Sequence, residues 1–171
     1  MKASVIRTRP QAQAGLAQSD NAFHALIRSF GLLKRVMEPY IARFGISGSQ
    51  WGVLRTLHRS EEEGLRALRL TDLGDRLLVR PPSVTRVVDR LHRMGLVRRS
   101  ASSVDQRAKL VKLTPGGQRL VRRVLRGHSA QVENVLSALS AADQERLRSL
   151  LDRLSFHLHS MAERSGGDGR R

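Results

Sequence analysis

The stretch VRPPSVTRVVDRLHRMGLVRR, Val79 to Arg99, decides how the rest of the chain is read. Two prolines lead straight into a segment of helical periodicity, with no Ser, Thr, Asp or Asn in front of them to act as a cap. At 100° per residue, Val84, Val87, Val88 and Leu91 share one face. The opposite side carries Thr85, Arg86, Asp89 and Arg93, with Ser83 and Arg90 at its flank. One side is made for packing, and the other is basic and hydroxylic. A helix start leaves four N–H groups without partners. Proline carries no N–H, so Pro81 and Pro82 remove orphan donors where a cap would have satisfied them. A residue before proline avoids the α region, which makes either Pro81 or Pro82 the first helical residue. Arg80, relieved of capping, is then either a phosphate contact or an exposed loop residue.

The flanking segments give this helix its setting. Before it, TDLGDRLLV reads as a short helix, with Thr71 as its cap, Asp72 at its positive end and Gly74 where a crossing helix could come close. After it, LVRRSASS, VDQRA and KLVKLT read as two short strands around an exposed tip. Short helix, tight turn, basic amphipathic helix and hairpin make a winged helix-turn-helix, a motif that lays its second helix in the DNA major groove.

Longer helices lie to either side. Phe23, Phe30, Met37 and Phe44 recur every seven residues in a helix expected from about Asp20 to Phe44, kinked or broken near Pro39 and stopped by Gly45. SGSQWGVLRTLHRS is a second helix, with Trp51, Leu54 and Leu57 on one face. Thr114 and Pro115 open a fifth, and Ser140 with Asp143 opens a sixth whose stripe runs from Leu147 to Met161. The expected fold is mainly α with a small β-hairpin wing. Its divisions are a flexible arm (1–18), dimerisation helices (19–45 and 115–163), a winged helix-turn-helix domain (46–114) and a flexible tail (164–171). The two apolar stripes are too long for a small winged domain to cover, which points to a homodimer.

Charge supports the motif. The chain carries a formal +16, and it is unevenly spread. Arg66 to Arg126 holds sixteen Lys and Arg against four acids, while the remainder holds fifteen against eleven. A basic block of this kind attracts polyanions through their phosphates. An arginine bias alone would not keep the acids out of one block. There is no cysteine, which excludes disulfides, thiol redox sensing and thiolate metal sites. No apolar run approaches the roughly 20 residues of a membrane span. Met1 to Gln18 has basic residues but no apolar stretch after them, so the expected location is cytoplasmic.

The ordered pieces SVTRVVDRL, MGLVRR, DQRAKLVKLT and TPGG resemble the winged-helix core of the MarR family, the multiple-antibiotic-resistance type of bacterial transcriptional regulator. With the flanking helices the likeness covers nearly all of residues 20–163. It implies an obligate homodimer with interlocked terminal helices, recognition helices in successive major grooves of a palindromic operator, and wings in the flanking minor grooves. By position it makes Ser83, Thr85, Arg86 and Arg90 DNA contacts. Asp105 becomes the acid that orders the wing and Arg107 the wing arginine at the minor groove, with Lys109 a further contact beside it. Arg80 stands where the family usually has Ser or Asp, and Leu78 replaces a common Gly.

Other chemistries fare poorly. His157 and His159 point about 200° apart on a helix and cannot share a metal. No nucleophile elbow, glycine-rich phosphate loop or metalloprotease spacing is present, so neither an enzyme nor a cofactor is expected. Tyr40, Trp51 and His58 either line a pocket for a small aromatic or anionic effector or, as for Trp51, anchor the core. The expected function is a DNA-binding repressor relieved by an effector. The competing classes are a constitutive architectural nucleic-acid-binding protein and a helical oligomerisation module of incidental charge.

Overall fold

The computed structural model describes residues 10–77, 81–101 and 109–167. Six helices and three strands follow in the order α1 (Pro10–Ala42), α2 (Gly48–Glu62), β1 (Leu68–Arg69), α3 (Leu70–Leu77), α4 (Pro81–Arg93), β2 (Val97–Ala101), β3 (Lys109–Leu113), α5 (Pro115–Leu136) and α6 (Ala141–Gly167). This is the mainly α, winged helix-turn-helix architecture that the sequence implies. The chain divides into two compact units, Met1–Arg126 and Gly127–Arg171.

In the first unit one core gathers apolar side chains from every helix and strand, with α1 contributing only its C-terminal end through Tyr40 and Ile41. Val53, Leu54 and Leu57 of α2, Leu73 of α3, Val88 and Leu91 of α4, Val111 of β3 and Val121 and Val124 of α5 are all buried to 2% exposure or less. The sheet is antiparallel in the order β1-β3-β2, with Val97 opposite Leu113 and Leu68 opposite Val111. Helix α2 starts on a capping box. Ser47 Oγ accepts from the Gln50 N–H at 3.3 Å, and the Ser47 N–H donates to Gln50 Oε1 at 2.8 Å. A brace joins α2's end to α3, where Arg76 Nη1 donates to Glu63 Oε2 at 2.8 Å.

Two glycines hold the joint between helix and wing. Gly95, at φ +70°, takes the left-handed conformation that ends α4. Its N–H donates to the His92 carbonyl at 2.9 Å and that of Leu96 to the Leu91 carbonyl at 3.0 Å, the two bonds of a Schellman stop. Thr114 then caps α5, accepting from the Gly117 N–H at 3.0 Å, while its own hydroxyl donates to the Gly95 carbonyl at 2.7 Å. A Cβ at Gly117 would lie 2.1 Å from the Leu96 carbonyl oxygen, so the close approach of α5 to this joint requires glycine.

Several boundaries differ from expectation. Helix α1 begins at Pro10, inside the segment expected to be a flexible arm. Proline suits the first helical position, and the Gln, Ala and Leu that follow are good helix formers. The helix runs through Pro39 to Ala42, although the missing N–H of Pro39 forfeits its bond to the Arg35 carbonyl. Helix α6 reaches Gly167, past the expected boundary at 163, with Arg164 suiting its negative end. Thr71 is not a cap: α3 starts at Leu70, and the Thr71 hydroxyl donates to Asp72 Oδ1 at 3.2 Å. Strand β1, two residues long, is too short for an alternating pattern to announce it.

In each unit a helix carries large exposed apolar side chains. Phe23, Ile27 and Phe30 lie on α1, and Leu150, Phe156 and Leu158 on α6. Among the described residues no helix is long and apolar enough to cross a membrane.

Candidate nucleic-acid interface

Helix α4 is fixed in rotation from behind. Val84, Val88 and Leu91 are buried and Val87 is half-buried, which is the arc the sequence marks out. Burying three such side chains stabilises this orientation by about 1.5–3 kcal/mol each. It leaves Ser83, Arg86, Arg90 and Arg93 exposed, with Thr85 half-buried among them. Hydroxyls and guanidinium groups on an unobstructed helix face are the donor set for phosphates and for guanine edges.

Asp89, the only acid in α4, also lies away from the core. Arg99 of β2 donates to its carboxylate, so the acid is neutralised and the helix is tied to the first strand of the hairpin. His92 Nδ1 lies 3.1 Å from the Val97 carbonyl oxygen, a distance it can hold only as an N–H donor. Across the β2–β3 ladder Arg98 stands opposite Lys112, and both are exposed. Like charges in that register are destabilising unless an anion or water lies over them. Lys109 is exposed at the start of β3. Arg80, Asp105 and Arg107 lie outside the described residues, as does Leu78.

The three residues expected at an effector pocket have different partners. Tyr40 is buried, its hydroxyl donating to the Val124 carbonyl at 2.5 Å. Trp51 is half-buried against the core. His58 Nδ1 lies 3.4 Å from Glu62 Oε1. None of them lines a cavity of about 630 Å³ whose walls are Phe44, Met94 and Leu96, Gly116 and Leu120, and Arg119, Arg122, Arg123 and Arg126. Sequence reasoning passed over this arginine row, although QRLVRRVLR displays its i, i+3, i+4, i+7 spacing openly. Asp89 and Arg99 also went unpaired there, because ten residues of helix end and turn separate them. Among the described residues no group of three or more His, Cys, Asp or Glu could hold a metal ion.

Comparison with known proteins gives concordant findings. The family model described as MarR family matches residues 44–108, which spans α2 to the wing. The uncharacterized HTH-type transcriptional regulator Mb0904 of Mycobacterium bovis is 36% identical over 107 residues, covering 63% of this chain and 71% of that protein. A mutant of Escherichia coli MarR, solved in complex with operator DNA, superimposes with a TM-score of 0.70 at 25% identity, over 78% of this chain and 93% of that one. BpsR of Bordetella bronchiseptica, whose DNA binding is regulated by 6-hydroxynicotinic acid, has the same fold with a TM-score of 0.70 at 24% identity, over 79% and 98% of the two chains.

Proposed function

The chain belongs to the MarR family of winged helix-turn-helix transcriptional regulators, and from that premise we propose that it is a homodimeric repressor that binds a palindromic operator in the cytoplasm and is released by a small effector. The observation that carries the reading is the rotation of α4: Val84, Val88 and Leu91 are spent on the core, which leaves Ser83, Arg86 and Arg90 for the major groove. In this reading Thr85 joins them, Arg80 and Lys109 take phosphates, and Arg107 enters the minor groove from a wing ordered by Asp105. Residues 46–114 are the DNA-binding part, and the helices before and after them join two copies.

Support for the dimer comes from the apolar faces of α1 and α6, which water would otherwise solvate at considerable cost. Support for an effector comes from regulated DNA binding in the structural relative BpsR. A constitutive architectural protein would show the same basic surface but little preference among duplexes.

Footprinting with the purified protein on genomic fragments separates the two. The expected result is a protected inverted repeat with half-site centres about 10 base pairs apart. Protection without inverted symmetry, or equal retention of random duplex at moderate salt, would overturn the proposal.

A further inference from the structure

Another cavity, about 520 Å³ in volume, opens at the root of the wing, between the end of α2, the base of the hairpin and the start of α5. Three cations from three parts of the chain line it: Arg66 from the loop after α2, Arg98 from β2 and Lys112 from β3, all exposed. Arg98 and Lys112 are cross-strand partners in the ladder, a register in which like charges repel. Among the described residues none of the ion pairs involves any of the three. The acid of the lining, Glu61, is half-buried and engaged elsewhere, its Oε2 accepting from Gln118 Nε2 at 3.2 Å. Three cations less one carboxylate leave the cavity with a net +2.

The cavity lies on the face of the hairpin turned away from the groove-facing helix. Arg99 reaches α4 through Asp89, and successive side chains of a strand point to opposite faces, so Arg98 points outward. Lys112 does the same, since Val111 beside it is buried in the core. Both also stand three residues back from the outer ends of their strands at Ala101 and Lys109, roughly 10 Å along the hairpin. A duplex lying against α4 and the end of the hairpin therefore leaves these cations free.

We propose that this cavity binds the di- or triphosphate group of a small molecule, its oxygens bridging Arg66, Arg98 and Lys112. Such a group concentrates several charges and many acceptors in a short span, which matches cations converging from separate elements. The arginines supply forked N–H donors and the lysine a compact point charge. The volume suits a small molecule. Leu113 is buried and Pro115 is the other apolar side chain of the lining, so charge, and not an apolar body, carries the recognition. Glu61 opposes the ligand, which gives the site a charge whose removal has a definite sign.

The full-length protein, free of DNA and divalent metal, is titrated with inorganic tripolyphosphate by isothermal titration calorimetry. Salt of about 0.1 M screens the long-range pull of the overall positive charge. Saturable binding is expected, weakened at least about tenfold in an Arg66→Gln/Lys112→Gln variant whose circular dichroism matches wild type. An Arg90→Gln/Arg93→Gln variant, which removes the same charge from α4, should bind tripolyphosphate as wild type does. Glu61→Gln keeps an acceptor for the Gln118 amide but loses the opposing charge, and should bind at least about threefold more tightly. ATP identifies the source of the phosphates: tighter binding than tripolyphosphate assigns the site to a nucleotide, and equal or weaker binding assigns it to free polyphosphate. No saturable binding of either by about 1 mM would overturn the site, as would undiminished binding by Arg66→Gln/Lys112→Gln. An equal loss in the α4 variant would do the same, because the anion would then be following net charge, and so would weaker binding by Glu61→Gln. A hexaglutamate peptide that binds more tightly than both phosphates would overturn it too, since the hollow would then be a docking face for an acidic protein segment.

Discussion

At the scale of single residues, Gly116 and Gly117 make a controlled pair. They are neighbours in the first turn of α5, yet a methyl group meets different surroundings at each. At Gly117 it would lie 2.1 Å from the Leu96 carbonyl oxygen, which is backbone and is itself held by the Thr114 N–H at 3.1 Å. At Gly116 the nearest atoms are 3.5 and 3.6 Å away, ordinary contact. Gly117→Ala should therefore destabilise by about 1–3 kcal/mol through overpacking. Gly116→Ala should be neutral or stabilise by up to about 1 kcal/mol, because alanine is the better helix former. Urea denaturation of the two variants checks the sign; equal destabilisation would refute the assigned geometry. Arg86 tests chemistry in place of packing. It is exposed on α4, and a bidentate guanine contact discriminates by about 1–3 kcal/mol. Arg86→Ala should relax base preference at one position of each half-site, as read by competition among single-base operator variants. A uniform loss over all sequences would make Arg86 a phosphate contact.

At the scale of elements, the brace between α2 and α3 is an electrostatic one with a definite sign. The Arg76 guanidinium donates to Glu63, and with help from the charge of Arg59 it holds that carboxyl below the usual carboxylate range. A depressed folded-state value means that the ionised form is the stabilised one. The contribution is present above the unfolded carboxylate value and is lost as pH falls through the folded one. Arg76→Ala should move the Glu63 titration, followed by NMR, back upward; an unmoved titration would show the pair to be incidental. Elements also differ in how plainly the sequence announces them. Helix α4 could be placed face by face, because its apolar positions follow a single 100° period and Val84, Val88 and Leu91 proved to be the buried ones. The Thr114–Pro115 start was equally plain, since cap and first helical residue are local chemistry. What escaped was tertiary. The Asp89–Arg99 pair depends on how α4 turns into β2, and the cavity under Arg123 exists only because Phe44 and Met94 arrive from distant parts of the chain. Spacing within α5 shows the arginines but not the floor beneath them.

At the scale of the whole molecule, the deciding quantity is the apolar surface left over. Phe30 of α1 is 61% exposed and Leu150 of α6 60% exposed, each within a row of similar side chains. Neither is part of the core, so a glutamate at either position costs the isolated chain little. In a dimer that covers these faces, the same glutamate is a buried charge without a partner, a penalty of several kcal/mol at each interface. The two effects predict a clean separation of folding from assembly. Phe30→Glu/Leu150→Glu should keep wild-type helical content but sediment as a monomer at micromolar concentration, where wild type sediments as a dimer. DNA binding should follow assembly. Two linked recognition helices engage two half-sites with an effective-concentration gain of about 10²–10⁴ over one, so the monomeric variant should lose most of that factor on a palindrome. On an isolated half-site it should bind as wild type does, because α4 is untouched. A wild-type protein that is itself monomeric at micromolar concentration would end the argument, as would a variant that remains dimeric. In either case the exposed rows on α1 and α6 would have to be covered by something other than a second copy of this chain.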